Sequence, residues 1–213
     1  MGPRPDRRWW DRGMAPIIRP FHPSDLPGVY RLCLLTGEAG GDASGLYRDP
    51  DLLGHLYAGP YPVADPSLTF VVADDDGVVG YVVATADSLG FARWLDEHWW
   101  PVLRAQHPRV GDPGDGTQDH VLVERIHTWP TAPEPQYDEF PAHLHIDLHP
   151  RLQGQGWGRR LIGTLAEALR ARGVTGVHLG VDDRNTGAQA FYARLGFETF
   201  AVHDWGRTLS LRL

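Results

Sequence analysis

A single cysteine, Cys33, leaves no partner for an intramolecular disulfide and suits a reducing, cytoplasmic setting. It lies in the apolar run 29–35 with nothing beside it to lower a thiol pKa, so it reads as a buried small hydrophobe rather than a nucleophile. No apolar run approaches the roughly 20 residues that cross a bilayer. Basic charge is outnumbered, 20 Lys and Arg against 27 Asp and Glu, for a net charge of -7. Such a balance gives no sequence-independent pull on nucleic acid, and an acceptor carrying an amine fits better. Residues 1–14 are rich in Arg and Trp but lack the apolar core of a secretory signal. They read as a disordered extension, with Met14 as an alternative start. What is there is ordinary for a folded chain: 213 residues, 42% hydrophobic and 22% charged, enough for a sizeable core.

The local patterns predict a short strand at 17–20 and a helix opened by Ser24 as N-cap, followed by a Gly-rich loop at 36–45 and a second helix at 51–57. Strands at 67–73 and 78–85 flank Asp74-Asp75-Asp76-Gly77, a strong hairpin turn. A helix is expected over 88–100, with Pro101 stopping or bending it. Residues 104–141 read as long loops with one strand-like run at 121–126. A strand at 143–148 puts Leu144, Ile146 and Leu148 on one face and His143, His145 and Asp147 on the other. Helices are expected at 158–172 and 186–195, and strands at 177–181, 197–202 and 208–213. This alternation argues for an α/β layer in the last third.

The chemistry concentrates where the 143–148 strand gives way to Gln153-Gly154-Gln155-Gly156-Trp157-Gly158-Arg159 and then to a helix. Glycines at alternate positions let the backbone approach a ligand closely. The helix start supplies unpaired N–H groups and a positive dipole end, an anion site suited to a pyrophosphate. Arg159 and Arg160 add charge. Neither a P-loop nor a Rossmann fingerprint fits, because Arg159 and Arg160 stand where Lys with Ser or Thr, or a final Gly, would be required.

The segment from Gln153 to Gly158, preceded by His149-Pro150, resembles the acetyl-CoA signature of the GNAT superfamily. Asn185, Ala188 and Phe191-Tyr192, closing on Leu195-Gly196-Phe197, resemble that superfamily's late motif. Ile18-Arg19-Pro20, the run from Val29 to Cys33, and the stretch from Asp49 to Tyr57 look like the acetyltransferase-like C-terminal domain of protein O-GlcNAcase. The chain is thus similar to a stand-alone bacterial relative of that domain. The resemblance implies an α/β (α+β) GNAT fold over residues 15–213 as one domain, a central mixed twisted sheet flanked by helices on both faces. It implies acetyl-CoA as co-substrate. Its pyrophosphate would lie on Gln153, Gly154, Gln155, Gly156, Trp157, Gly158 and Arg159, and its pantetheine arm along Ile146 and Leu148. Trp157 departs from the aliphatic residue usual at that position and also reads as packing under the helix. Asn185 is read both as a cofactor ligand and as a helix N-cap.

For catalysis, Tyr192 is the candidate general acid, or else a core aromatic. Asp147 and His145 are the candidate bases, with His143 on the same face and Glu124 as an outside alternative. The same histidines could be plain strand polarity, or with His149 a metal site, although without a carboxylate partner no metal is expected. The expected function is N-acetyl transfer by direct reaction with a primary amine on a small molecule, a peptide or a protein lysine. The competing expectation is an acetyltransferase-like binding module with weak or no turnover. Monomer and homodimer stay open. Acids at Asp42, Asp49, Asp51, Glu134, Asp138 and Glu139 hint at a cationic acceptor.

Overall fold

The computed structural model describes residues 15–213, so the expected extension at 1–14 and the alternative start at Met14 lie outside the described residues. Seven strands form one sheet: β1 (Ile17–Pro20), β2 (Thr69–Asp74), β3 (Gly77–Thr85), β4 (Ala142–Leu148), β5 (Gly176–Asp182), β6 (Glu198–His203) and β7 (Gly206–Arg212). Their spatial order is β1-β2-β3-β4-β5-β7-β6. Every neighbouring pair is antiparallel except β4 and β5, so the sheet is mixed.

Each face of the sheet carries a core. On one, helices α1 (Leu26–Thr36), α2 (Leu52–Tyr57), α3 (Pro60–Ala64), α4 (Ser88–Trp94), α5 (Trp100–Gln106) and α6 (Asp119–His127) surround Val71, Tyr81 and Val83. On the other, α7 (Trp157–Ala171) and α8 (Thr186–Arg194) cover Val72, Val82, Leu144 and Leu179. Leu161, Leu165 and Leu169 of α7 are spaced by four and fully buried, each worth about 2 kcal/mol of transfer free energy. The expected mixed sheet with helices on both faces is therefore observed.

Three local expectations change. Ser24 does not cap α1. Instead the His22 ring accepts the Ser24 N–H and Asp25 accepts the His22 N–H, a capping box on the short turn Pro23–Asp25 that precedes α1. Asp25 also takes two bonds from Arg19, tying β1 to α1. The strand-like run at 121–126 lies in α6, because only Leu122 and Ile126, four apart, are buried while Val121 is exposed. Pro101 stops nothing. A π-helical turn at Leu95–Trp99 absorbs the change in bonding, and the helix resumes as α5 with the proline in its first turn.

The tight β6–β7 connection makes a sharp test of backbone geometry. Gly206 has φ +153°, and a Cβ there would fall 2.2 Å from the Val181 carbonyl oxygen. Gly163 is exposed in mid-helix with open space around it. Gly206→Ala is expected to cost about 2 kcal/mol or more, and Gly163→Ala to stabilise by about 0.5–1 kcal/mol. Urea unfolding of the two variants checks both signs.

Candidate active site

Pairing between β4 and β5 covers only Ala142↔Val177 and His143↔His178. Beyond that point the strands diverge. Residues 144–148 stay paired to β3 on one side and present a main-chain edge without a strand partner on the other. The gap is closed at one end by Gly176, where a Cβ would meet Phe140 at 2.6 Å. At the other end it opens into a cleft of about 530 Å³.

The glycine turn forms the mouth of this cleft. Gly154 (φ +72°) and Gly156 (φ +82°) are left-handed, and Gly156 is the N-cap of α7 with no side chain capping the helix. The first-turn N–H groups of α7 are thus free to point at an anion. Gly158 lets α7 press on Phe191, for a Cβ there would lie 2.9 Å from that ring. Trp157 does two things: it packs on the core beneath α7, and it lines the cleft with the Arg160 guanidinium 4.6 Å above its ring. Arg159 lines the cleft, whereas Gln155 bonds back to the Arg151 carbonyl at 2.6 Å. The Gln153 amide donates to the Leu148 carbonyl at 3.4 Å, joining the turn to the end of β4.

Ile146, Asp147, Leu148, Asn185 and Tyr192 line the same cleft. Asn185, the sole asparagine of the chain, is the N-cap of α8, accepting the Ala188 N–H at 3.0 Å. Its Nδ2 points past that cap toward Gly40. The cap uses the carbonyl oxygen of Asn185 and leaves its amide nitrogen as a donor that an aspartate would lack. Tyr192 is buried, and burial first, then the nearby Asp147 charge, pushes its phenol pKa up, so it stays protonated. Asp147 is the one carboxylate on the lining. Burial pushes its pKa up, while the Tyr81 and Thr36 hydroxyls act in the opposite sense. The Tyr81 hydroxyl donates directly to Asp147 Oδ2.

His145 is not on the cleft lining. It shares the Asp147 face but sits behind Tyr57 and Tyr61, each ring 5.5 Å away. Desolvation and the nearby His178 lower its pKa to about 4. His143 is held by the Tyr61 hydroxyl at Nε2 (2.8 Å) and Ser88 at Nδ1 (2.7 Å), and His149 accepts the Arg151 N–H. Among the described residues no group of three or more His, Cys, Asp or Glu is placed to hold a metal. Glu124 is exposed on α6 and bonded to Arg109 at 2.8 Å, away from the cleft lining. The acids of the acceptor-side segments serve local needs. Asp42 holds the Ser44 N–H, Asp49 the Asp51 N–H, and Glu139 pairs with Arg212. The cleft also takes in residues that motif reading passed over, Thr36, Ala39, Gly40 and Arg194 among them. Arg194 lies two residues beyond Tyr192 in the late motif.

A sequence model of the acetyltransferase (GNAT) family matches residues 43–197. The chain belongs to that family. GNAT enzymes are acyltransferases that use acetyl-CoA. The solved structure of SsHAT is 38% identical, superposes with a TM-score of 0.86, and covers 93% of this chain and 98% of its own. Protein O-GlcNAcase of Rattus norvegicus is 26% identical over 182 residues, 84% of this chain, so the resemblance read from the sequence holds. The chain spans only 20% of that relative's length. Mycothiol acetyltransferase of Beutenbergia cavernae is 30% identical over 131 residues, 51% of this chain and 43% of its own.

The recessed histidines set an expected acid sensitivity. Burial, the largest cause in each case, lowers the pKa of His143, His145 and His178. Below about pH 6.5 the unfolded chain therefore binds more protons than the fold, and stability falls as pH drops. Each group contributes up to about 1.4 kcal/mol per pH unit within its window, which for His145 extends down to about 4. The raised pKa of Asp147 acts with the opposite sign at the acid end. The urea midpoint is expected to fall between about pH 7 and about pH 5; a constant midpoint would contradict this account.

Proposed function

We propose that the chain is an acetyl-CoA-dependent N-acetyltransferase that moves the acetyl group directly to a primary amine. The reading rests on one observation: a single cleft joins an uncapped glycine turn, a free strand edge, one carboxylate and one buried phenol. Acetyl-CoA supplies an acetyl group already activated as a thioester. The backbone of 153–159, with Arg159, holds its pyrophosphate. The main chain at Ile146 and Leu148 pairs with its amide-bearing arm as an added strand would. Asn185 offers Nδ2 to the same arm.

Asp147 accepts the proton that an ammonium must lose before it can attack, and His145, neutral near pH 7, stands behind it on the same face. Tyr192 holds a proton at Oη for the departing sulfur. Direct transfer is supported by what the lining offers as an acyl carrier. It has no cysteine or serine, and the Thr36 hydroxyl is bonded to the Leu32 carbonyl at 2.9 Å. Cys33 is buried off the lining, where burial pushes its thiol pKa up. The single reduced cysteine also supports a cytoplasmic setting.

The chain contains no lysine, so acetyl-lysine formed in an assay belongs to the acceptor. Tyr192→Phe keeps the ring and is expected to lower turnover by roughly 10²-fold with acetyl-CoA affinity nearly unchanged. Equal turnover in a steady-state assay would remove Tyr192 from the mechanism. Binding of acetyl-CoA without turnover of any amine would favour the binding-module alternative. Gly156→Val puts a β-branched side chain at φ +82° in the mouth of the cleft. It is expected to weaken acetyl-CoA binding from the micromolar order by tenfold or more, the fold staying intact by circular dichroism. Unchanged calorimetric titration would contradict the assignment of the turn.

A further inference from the structure

Asp147 carries its charge without a cation. Among the described residues no Arg or His is ion-paired to it. The groups that face it come from four elements. From β3 comes Tyr81, set directly opposite by the register Tyr81↔Asp147. From α1 come Thr36 and Cys33, from α8 Tyr192, and on its own strand stands His145. The thiol and both phenols stay protonated through burial, and His145 is neutral near pH 7. The carboxylate is thus compensated by hydroxyl dipoles alone.

These hydroxyls are not equivalent. Thr36 has one hydroxyl hydrogen, shared between Asp147 and the Leu32 carbonyl 2.9 Å away. Tyr192 makes no hydrogen bond to the carboxylate that compares with the one from Tyr81, which donates to Oδ2. Tyr81 is fully buried. A phenylalanine would pack as well in that core, and burying a hydroxyl is costly unless it is bonded. The Tyr81 hydroxyl meets both Asp147 and the Cys33 thiol, and of the two it is the carboxylate that accepts its hydrogen. That bond stabilises the anion rather than the neutral acid, and it opposes the effect of burial.

We propose that Tyr81 is a positioning residue for acetyl transfer: its hydroxyl fixes the Asp147 carboxylate at the inner end of the cleft and keeps it in the proton-accepting form. The inference rests on the reading of Asp147 as proton acceptor given above. Tyr81→Phe removes one oxygen and keeps the ring. Asp147 ionisation can be followed by carboxyl ¹³C shifts in aspartate-labelled protein, its signal assigned by loss in Asp147→Asn, which needs no acceptor. The titration midpoint is expected to rise by about one pH unit or more in Tyr81→Phe, the size of a hydrogen bond to a charged group. With an accepted amine, the acid limb of kcat/KM against pH is expected to move the same way, because activity is lost as pH falls through the midpoint of the base, while KM for acetyl-CoA stays within about twofold.

An unmoved midpoint overturns the proposal, as does activity lost equally at all pH, the signature of a structural role. If Tyr81→Phe does not fold, 3-fluorotyrosine at 81, nearly the same shape but a stronger donor, is expected to move the midpoint down; no movement overturns the proposal equally. Asp147→Asn separates the two failures. If it lowers turnover while Tyr81→Phe leaves the limb in place, only the role of Tyr81 falls. If it keeps the wild-type pH profile, the reading of Asp147 as base fails and the role of Tyr81 falls with it.

Discussion

The site depends on strand pairing that stops. β4 and β5 share two residues of parallel register and then part, although β4 remains fully paired to β3 and β5 to β7. A main-chain edge in the middle of a sheet is normally a liability, since its N–H and C=O groups must find partners. Under the function proposed above it is left open for a ligand with amides of its own, which would take the missing strand's place. The same parting separates the ends of β4 and β5, so the turn after β4 and the N-terminus of α8 border one cavity. Closing the sheet would satisfy the edge and abolish the cleft.

Around this gap the electrostatics are arranged by desolvation more than by ion pairs. The inner end holds a carboxylate, two phenols, a thiol and neutral imidazoles. Burial moves each group toward its uncharged form, and at Asp147 hydroxyl donors oppose it. A formal cation there would pin the carboxylate ionised but make it a poorer base. Hydroxyl donors hold it ionised more weakly, as the proton-accepting role proposed for it requires. Cationic charge instead lies toward the mouth, on Arg159 and Arg194, where phosphate is expected.

How much of this the sequence disclosed follows the range of the physics involved. The face alternation of β4, the hairpin at 74–77 and the apolar stripe of α7 are local periodicities, and all three appear where the pattern puts them. Asn185 shows its capping role from its place before α8. The run at 121–126 misled because β-branched residues cluster there, whereas burial follows Leu122 and Ile126 at helical spacing. Tyr81 gave no signal: inside the apolar run of β3 it looks like any core aromatic. Its importance comes from the register that sets it opposite Asp147, 66 residues away. Likewise the position of His145 behind Tyr57 and Tyr61 depends on α2 and α3, which no strand pattern contains.

The cleft is also braced across its mouth by a feature that costs energy. Glu38 and Gly41 exchange two backbone bonds, closing a tight turn in which Ala39 (φ +49°) and Gly40 (φ +91°) are both left-handed. Ala39 is the one non-glycine residue with positive φ among the described residues, and that conformation costs about 1–2 kcal/mol for an L-residue with a Cβ. Ala39 and Gly40 line the cleft, and a Cβ on Gly40 would come within 3.1 Å of Asn185 Nδ2. The strained turn that follows α1 thus rests on the side chain that caps α8. Helix α1 also delivers Thr36 and Cys33 to the surroundings of Asp147, and α8 delivers Tyr192, so this contact joins the two helices that flank the carboxylate. Asparagine at 185 meets all three demands at once: a carbonyl oxygen for the cap, an amide nitrogen facing the cleft, and a shape the glycine turn can lie against.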